Sequence, residues 1–173
     1  MAELRLLVPR QRIDRAVGRL AARIQRDYQG RSPLLVGVLK GTFIFLADLV
    51  RQLDLPLEVE FIQLSSYSGT QTVGRVRVTR PLRTIIKGRD VLVVEDIVDT
   101  GLTTAFLMKY LKRRSPASLK LCTLFDKPSR RQVKVRINYR GLVLPDKFVA
   151  GYGLDWNQKY RHLPDLWSVE GVE

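Results

Sequence analysis

Hydrophobic positions along the chain alternate between helical spacing and short unbroken runs. Ile13, Val17, Leu20 and Ile24 predict a first helix ending near Tyr28-Gln29-Gly30, where Gly30 can serve as the C-terminal cap. The apolar run 34–39 reads as a strand covered on both faces, and Lys40-Gly41-Thr42 turns it into a second helix through Phe45, Leu46, Leu49 and Val50. Residues 57–64 predict a strand, 69–74 break the pattern, and Val76 and Val78 resume an alternating, half-exposed strand. After Gly88-Arg89-Asp90 comes the β-branched run 91–94. Leu102, Phe106, Leu107, Tyr110 and Leu111 then mark a third helix, with Lys112, Arg113 and Arg114 in its last turn. Residues 119–125 form the next strand, and 133–139, 142–144 and 148–150 read as short strands or extended pieces.

Strand and helix alternation through residue 125 predicts an α/β fold: a mainly parallel sheet flanked by helices, with the later pieces as a small flap over its edge. No internal repeat or low-complexity linker appears, so residues 1–173 are read as one domain.

The chemistry concentrates where the run 91–94 ends. Glu95 and Asp96 follow it directly, Asp99 comes three residues later, and Thr100, Gly101, Leu102, Thr103 and Thr104 lead into the helix. A turn at the carboxyl end of a parallel strand aims unpaired backbone N–H groups and the positive end of the next helix outward, which suits an anion. Gly101 permits close approach, and the three threonines offer hydroxyl donors. The site also carries its own negative charge. At an effective dielectric near 20, two carboxylates about 4 Å apart repel by roughly 4 kcal/mol, so a divalent cation, sugar hydroxyls or a proton must offset them. Hydroxyls donate to carboxylates while a phosphate accepts from N–H groups, so the pairing specifies a ribose 5-phosphate better than free phosphate. The plainer alternative, that the acids cap the helix, needs one acid and not three.

Composition narrows the setting. The single cysteine, Cys122, lies in the run 119–125 and the single histidine, His162, in a polar segment, so Cys122 reads as buried strand filler and a zinc site of N/S ligands is excluded. No apolar run approaches bilayer-spanning length, and a reduced cytoplasm fits. The net charge is +13, concentrated in 75–89 and 112–140. Such clusters are solvated faces, some steering a polyanionic substrate, or a nucleic-acid footprint. No recognition-helix or aromatic RNA-binding signature accompanies them.

The stretch Glu95-Asp96-Ile97-Val98-Asp99-Thr100-Gly101 resembles the phosphoribosyl diphosphate signature of type I phosphoribosyltransferases, in the form used by purine salvage. The likeness extends to Leu39-Lys40-Gly41, Ser65-Ser66-Tyr67, Lys127-Pro128, Pro145-Asp146-Lys147-Phe148-Val149, Gly151-Tyr152-Gly153-Leu154-Asp155 and Arg161. These fall in the order and approximate spacing of hypoxanthine-guanine phosphoribosyltransferases, over roughly residues 8 to 165. Trp156, where relatives often have another aromatic, is a mild departure.

The resemblance implies the type I phosphoribosyltransferase fold with a small hood, and transfer of a 5-phosphoribosyl group from 5-phosphoribosyl 1-diphosphate to N9 of a 6-oxopurine. Glu95, Asp96 and residues 99–104 would hold the ribose 5-phosphate, with Asp99 as general base. Lys40, Gly41, Ser66, Tyr67 and Arg161 would meet the diphosphate, and the small polar residues 68–74 would form a lid that excludes water. Lys127, Phe148, Val149 and Asp155 would meet the purine. Lys127 favours a 6-oxo group, because an ammonium only donates. Mg²⁺ would be held by Glu95, Asp96 and Asp155 with the diphosphate, and relatives form homodimers or homotetramers. An RNA-binding regulator on the same fold, with little purine turnover, is the alternative that the charge suggests.

Overall fold

The fold was analysed on a computed structural model describing residues 3–69 and 72–171, with backbone alone for 66–69 and 72–75. A six-stranded sheet runs in the order β4-β3-β2-β5-β6-β7, formed by β2 (Leu34–Leu39), β3 (Glu58–Gly69), β4 (Thr72–Arg80), β5 (Asp90–Val98), β6 (Ser118–Asp126) and β7 (Tyr139–Val143). All neighbours pair parallel except β3 with β4. The chain leaves β2 for β3 on one side and returns through β5 to β6 and β7 on the other. The β2/β5 boundary is therefore where strand order reverses, the place where open α/β sheets receive ligands.

Alternation along the buried strands divides the core. Leu35, Leu92 and Val94 face α1 (Arg10–Asp27) and α2 (Phe43–Val50), which contribute Ile13, Leu20, Phe45 and Leu49. Leu34, Val36, Val91 and Val93 face the other way, where α3 (Leu102–Lys112) supplies Leu107 and Leu111. Both faces of β2 and β5 are thus covered, which explains their unbroken apolar runs. Gly30 adopts φ +74° just beyond α1, in keeping with its predicted capping role. Buried Cys122 packs in the α1 face, and burial pushes its thiol far up, as inert strand filler requires.

Several expectations needed correction. The short strand β1 (Glu3–Val8), β8 (Val149–Ala150) and β9 (Leu166–Glu170) form a second sheet in the order β1-β9-β8, so the hood is built from both ends of the described chain. The sequence reading placed no strand at either end. Residues 133–138 are not a strand, and β7 joins the main sheet parallel to β6 instead of the flap. The expected loop at 68–74 is strand up to Gly69 and again from Thr72, paired antiparallel as far as Gly69 with Thr72. A polar arm satisfies its backbone by ladder hydrogen bonds without any apolar alternation to announce it. The side chains of Ser66 and Tyr67, and residues 70 and 71 of the proposed lid, lie outside the described part of the structure.

Leu92 is fully buried and Ile85 is 81 % exposed. Leu92→Ala should lower unfolding free energy by about 2–5 kcal/mol, while Ile85→Ala stays within about 0.5 kcal/mol, as read from urea unfolding midpoints.

Candidate active site

β5 continues past its apolar run and carries Glu95 and Asp96 within the strand, so their carboxylates lie at the carboxyl edge of the sheet. Glu95 is 5 % exposed and accepts a hydrogen bond from Thr104 Oγ1 at 3.5 Å. Burial first, then repulsion by Asp96, pushes its carboxyl well above the usual range. Burial also pushes Asp96 up to about 6, opposed by the hydrogen bond that its Oδ1 accepts from Ile97 N at 2.8 Å. Desolvation thus disfavours the charged form of both neighbouring acids.

The turn after β2 meets these acids because β2 and β5 pair in parallel, Gly37 opposite Val94. A Cβ at Gly41 would fall 1.7 Å from Asp96 Oδ2, so only glycine allows the turn to lie against that carboxylate. The Leu39–Lys40 peptide is cis. Lys40, Gly41, Glu95, Asp96, Asp155 and Arg161 line one cavity of about 320 Å³, which Thr103 also reaches. Arg161 Nη2 lies 2.5 Å from Asp155 Oδ1, its Nη1 donates to the Gly153 carbonyl at 2.8 Å, and Asp155 Oδ2 accepts from Gln158 N at 2.8 Å. Lys40 Nζ donates to Gln158 Oε1 at 3.4 Å, tying the two loops together. Gln158 was missed in the sequence, where no spacing distinguishes it within a polar segment.

Asp99, Thr100 and Gly101 form the turn before α3. Gly101 has φ +84°, and a Cβ on it would lie 2.8 Å from Arg131 Cδ, so both backbone and packing require glycine. Leu102 N lies 3.4 Å from Thr100 Oγ1, and Leu102 is exposed. Thr104, in the first helical turn, is buried, and its hydroxyl donates to Glu95. Arg130 Nε sits 2.8 Å from Asp99 Oδ1 without hydrogen-bond alignment, and Arg130 Nη1 donates to Asp146 at 3.1 Å.

The expected purine side is assembled at a different junction. Lys127 follows β6, is 5 % exposed, and donates from Nζ to the Lys147 carbonyl at 2.5 Å, which brings its ammonium beside the segment carrying Phe148. Desolvation lowers its basicity, while the negative charge of Asp99 acts the other way. Phe148 is 61 % exposed, leaving its ring free to stack, and Val149 is buried in β8. Asp155 shares the cavity with Lys40 and Arg161, whereas Lys127, Phe148 and Val149 do not line it. A larger cavity of about 700 Å³ includes none of the expected phosphoribosyl, diphosphate or purine residues, but Lys112, Lys120 and Arg136 of the basic cluster 112–140 are in its wall.

Among the described residues no three acids form a compact metal cage. The all-oxygen donor set facing the cavity nevertheless fits Mg²⁺, which binds through one or two carboxylates plus phosphate oxygens and retained waters. Some of the basic charge is locally spoken for: Arg89 pairs with Glu58, Arg130 with Asp99 and Asp146, and Arg131 and Arg140 with Asp126. No helix among the described residues is long and apolar enough to cross a membrane.

A sheet with its ligand edge at the β2/β5 switch, an acid pair and an N–H turn define the type I phosphoribosyltransferase architecture. The family model described as the phosphoribosyl transferase domain matches residues 7–157. Hypoxanthine phosphoribosyltransferase of Salmonella typhimurium is 44 % identical over 167 residues, covering 95 % of this chain and 94 % of that protein. The crystal structure of a hypoxanthine-guanine phosphoribosyltransferase from Bacillus anthracis superposes with a TM-score of 0.91 at 39 % identity, covering 98 % of this chain and 99 % of that one. The bifunctional protein TilS/HprT of Listeria monocytogenes is 42 % identical over 161 residues, covering 92 % of this chain, which spans only 25 % of that longer protein. The chain belongs to the phosphoribosyl transferase family, in its hypoxanthine(-guanine) phosphoribosyltransferase branch.

Gly41→Ala would displace the Asp96 carboxylate. Turnover should fall by about 10²-fold, the cost of misplacing a reacting group by roughly 1 Å, with circular dichroism unchanged; retained kcat/KM would contradict the close approach.

Proposed function

We propose that residues 1–173 act as one phosphoribosyltransferase domain that transfers 5-phosphoribosyl from 5-phosphoribosyl 1-diphosphate to N9 of hypoxanthine, and of guanine, yielding the nucleoside 5′-monophosphate and pyrophosphate. The observation that carries the proposal is the meeting of Lys40-Gly41, Glu95-Asp96 and Asp155-Arg161 around one cavity, beside the N–H turn of residues 99–104. The turn takes the 5-phosphate, Glu95 and Asp96 take the ribose hydroxyls, and Lys40, Gly41 and Arg161 face the diphosphate. Ser66 and Tyr67 belong to the diphosphate side on the family pattern alone, as does closure of the β3–β4 arm over the site.

The C1′–O bond to pyrophosphate breaks as the C1′–N9 bond forms, and the purine's N7 proton passes to Asp99. Its contact with Arg130 must open first. Asp99 and Arg130 side chains are 42 % and 39 % exposed, so the pair is weak enough to exchange, and Asp146 remains to hold the arginine. Lys127 donates to O6, Phe148 stacks on the ring, and the backbone at Val149 meets the base edge. Glu95, Asp96 and Asp155 would hold Mg²⁺ together with diphosphate oxygens; when bound, the ion stabilises charge on the departing pyrophosphate.

The Salmonella typhimurium and Bacillus anthracis relatives carry phosphoribosyltransferase names, which supports the enzyme over the RNA-binding alternative. The single cysteine suits a reducing cytoplasm, and a homodimer or homotetramer accompanies this reading; light scattering should return two or four times the chain mass, and a monomer would contradict it.

Purified protein offered hypoxanthine, guanine, xanthine, adenine and uracil separately should release pyrophosphate with hypoxanthine and guanine and not with adenine or uracil. No turnover with any 6-oxopurine would overturn the proposal. Asp99→Asn should lower kcat by about 10²–10⁴-fold while nucleotide affinity changes only a few-fold; unchanged kcat would remove Asp99 as base.

A further inference from the structure

The carbonyls of Val98, Asp99 and Thr100 all point into one segment. Val98 O accepts from Lys127 N at 3.0 Å and from Arg131 Nη2 at 3.5 Å. Asp99 O accepts from Arg131 Nε at 3.1 Å, and Thr100 O accepts from Gln132 N at 2.9 Å and Val133 N at 3.4 Å. Among the described residues the only cis peptide is Leu39–Lys40, so the peptides of this turn are trans. In a trans peptide the C=O and the N–H that follows it point in opposite directions. Pulling these carbonyls toward residues 127–133 therefore aims the N–H groups of Asp99, Thr100 and Gly101 to the opposite side, which that segment leaves open.

Of these contacts, only those to Val98 and Asp99 from Arg131 come from a side chain. Its guanidinium is itself fixed: Nη2 pairs with Asp126 Oδ1, and Asp126 is 3 % exposed at the end of β6. The second oxygen of Asp126 faces Arg140 at 3.4 Å, so the buried carboxylate is matched on both sides. A planar guanidinium can reach two carbonyls and a carboxylate at once, which a lysine ammonium on a flexible stem cannot reproduce in the same plane. The packing agrees, since Arg131 Cδ occupies the space where a side chain at position 101 would stand.

We propose that Arg131, anchored by Asp126, is a positioning residue that holds the peptide planes of the 98–100 turn so that its amides face the 5-phosphate. The inference rests on the phosphoribosyl reading of this turn. Arg131 touches neither substrate nor reacting atoms; it acts on phosphate recognition through the backbone. Its signature is selectivity: a ligand with a 5′-phosphate depends on it, and the same nucleoside without the phosphate does not. A role in stability alone would affect both equally.

Calorimetric titration with inosine 5′-monophosphate and with inosine separates the two cases, using wild type, Arg131→Lys and Asp126→Asn, each checked by thermal unfolding. Wild type should bind the monophosphate more tightly. Arg131→Lys should weaken monophosphate binding by about tenfold or more, the worth of one hydrogen bond to a charged group, and leave inosine within about twofold. Asp126→Asn, which keeps the side-chain shape, should show the same selective loss to a smaller degree, and it carries the test if Arg131→Lys fails to fold. Equal losses for both ligands, or none in either variant, would overturn the clamp. Failure of wild type to bind the monophosphate would instead overturn the phosphoribosyl reading itself.

Discussion

The site depends on the parallel pairing of β2 with β5. That one register sets two strand-to-helix turns side by side at the same edge, and places Gly41 so close to Asp96 that no side chain fits between them. The strand order reverses at this boundary, so the edge is free of a crossing connection and opens between the two turns. Everything else supports it. α1 and α2 cover one face and α3 the other, and the hood brings Asp155 and Arg161 to the cavity from above the edge.

The electrostatics follow from where β5 ends. An ordinary phosphate loop presents N–H groups and positive charge alone. Here the strand carries buried Glu95 and half-buried Asp96, both pushed toward protonation by desolvation, and only then turns into the N–H groups that precede α3. On the proposed reading, the ligand brings hydroxyls or a cation for the acids and a phosphate for the amides together. A sugar phosphate carrying a magnesium-bound diphosphate meets these demands in one molecule.

The main sheet and much of this cavity were legible in the sequence because their residues obey local rules. Buried runs such as 34–39 and 91–94 announce strands, helical spacing announces α1 and α3, and an acid pair followed by Thr-Gly marks a ligand turn. What escaped was held by distant partners. β1 and β9 are short and pair across almost the whole chain, Glu3 opposite Glu170, so neither carries a periodicity of its own. The β3–β4 arm is polar and reads as a loop. Gln158 and Arg131 act by side-chain reach to other loops. Asp126 did leave a trace, as an acid closing the apolar run 119–125 just before Lys127, but only the fold shows that it faces Arg131 and Arg140.

The most direct test of the account is calorimetric titration of the purified protein with 5-phosphoribosyl 1-diphosphate, with Mg²⁺ and after chelation. Saturable binding that needs Mg²⁺ is the predicted result, since the cation must offset the buried acids and the diphosphate together. No binding in the presence of Mg²⁺, or equal binding after chelation, would contradict it.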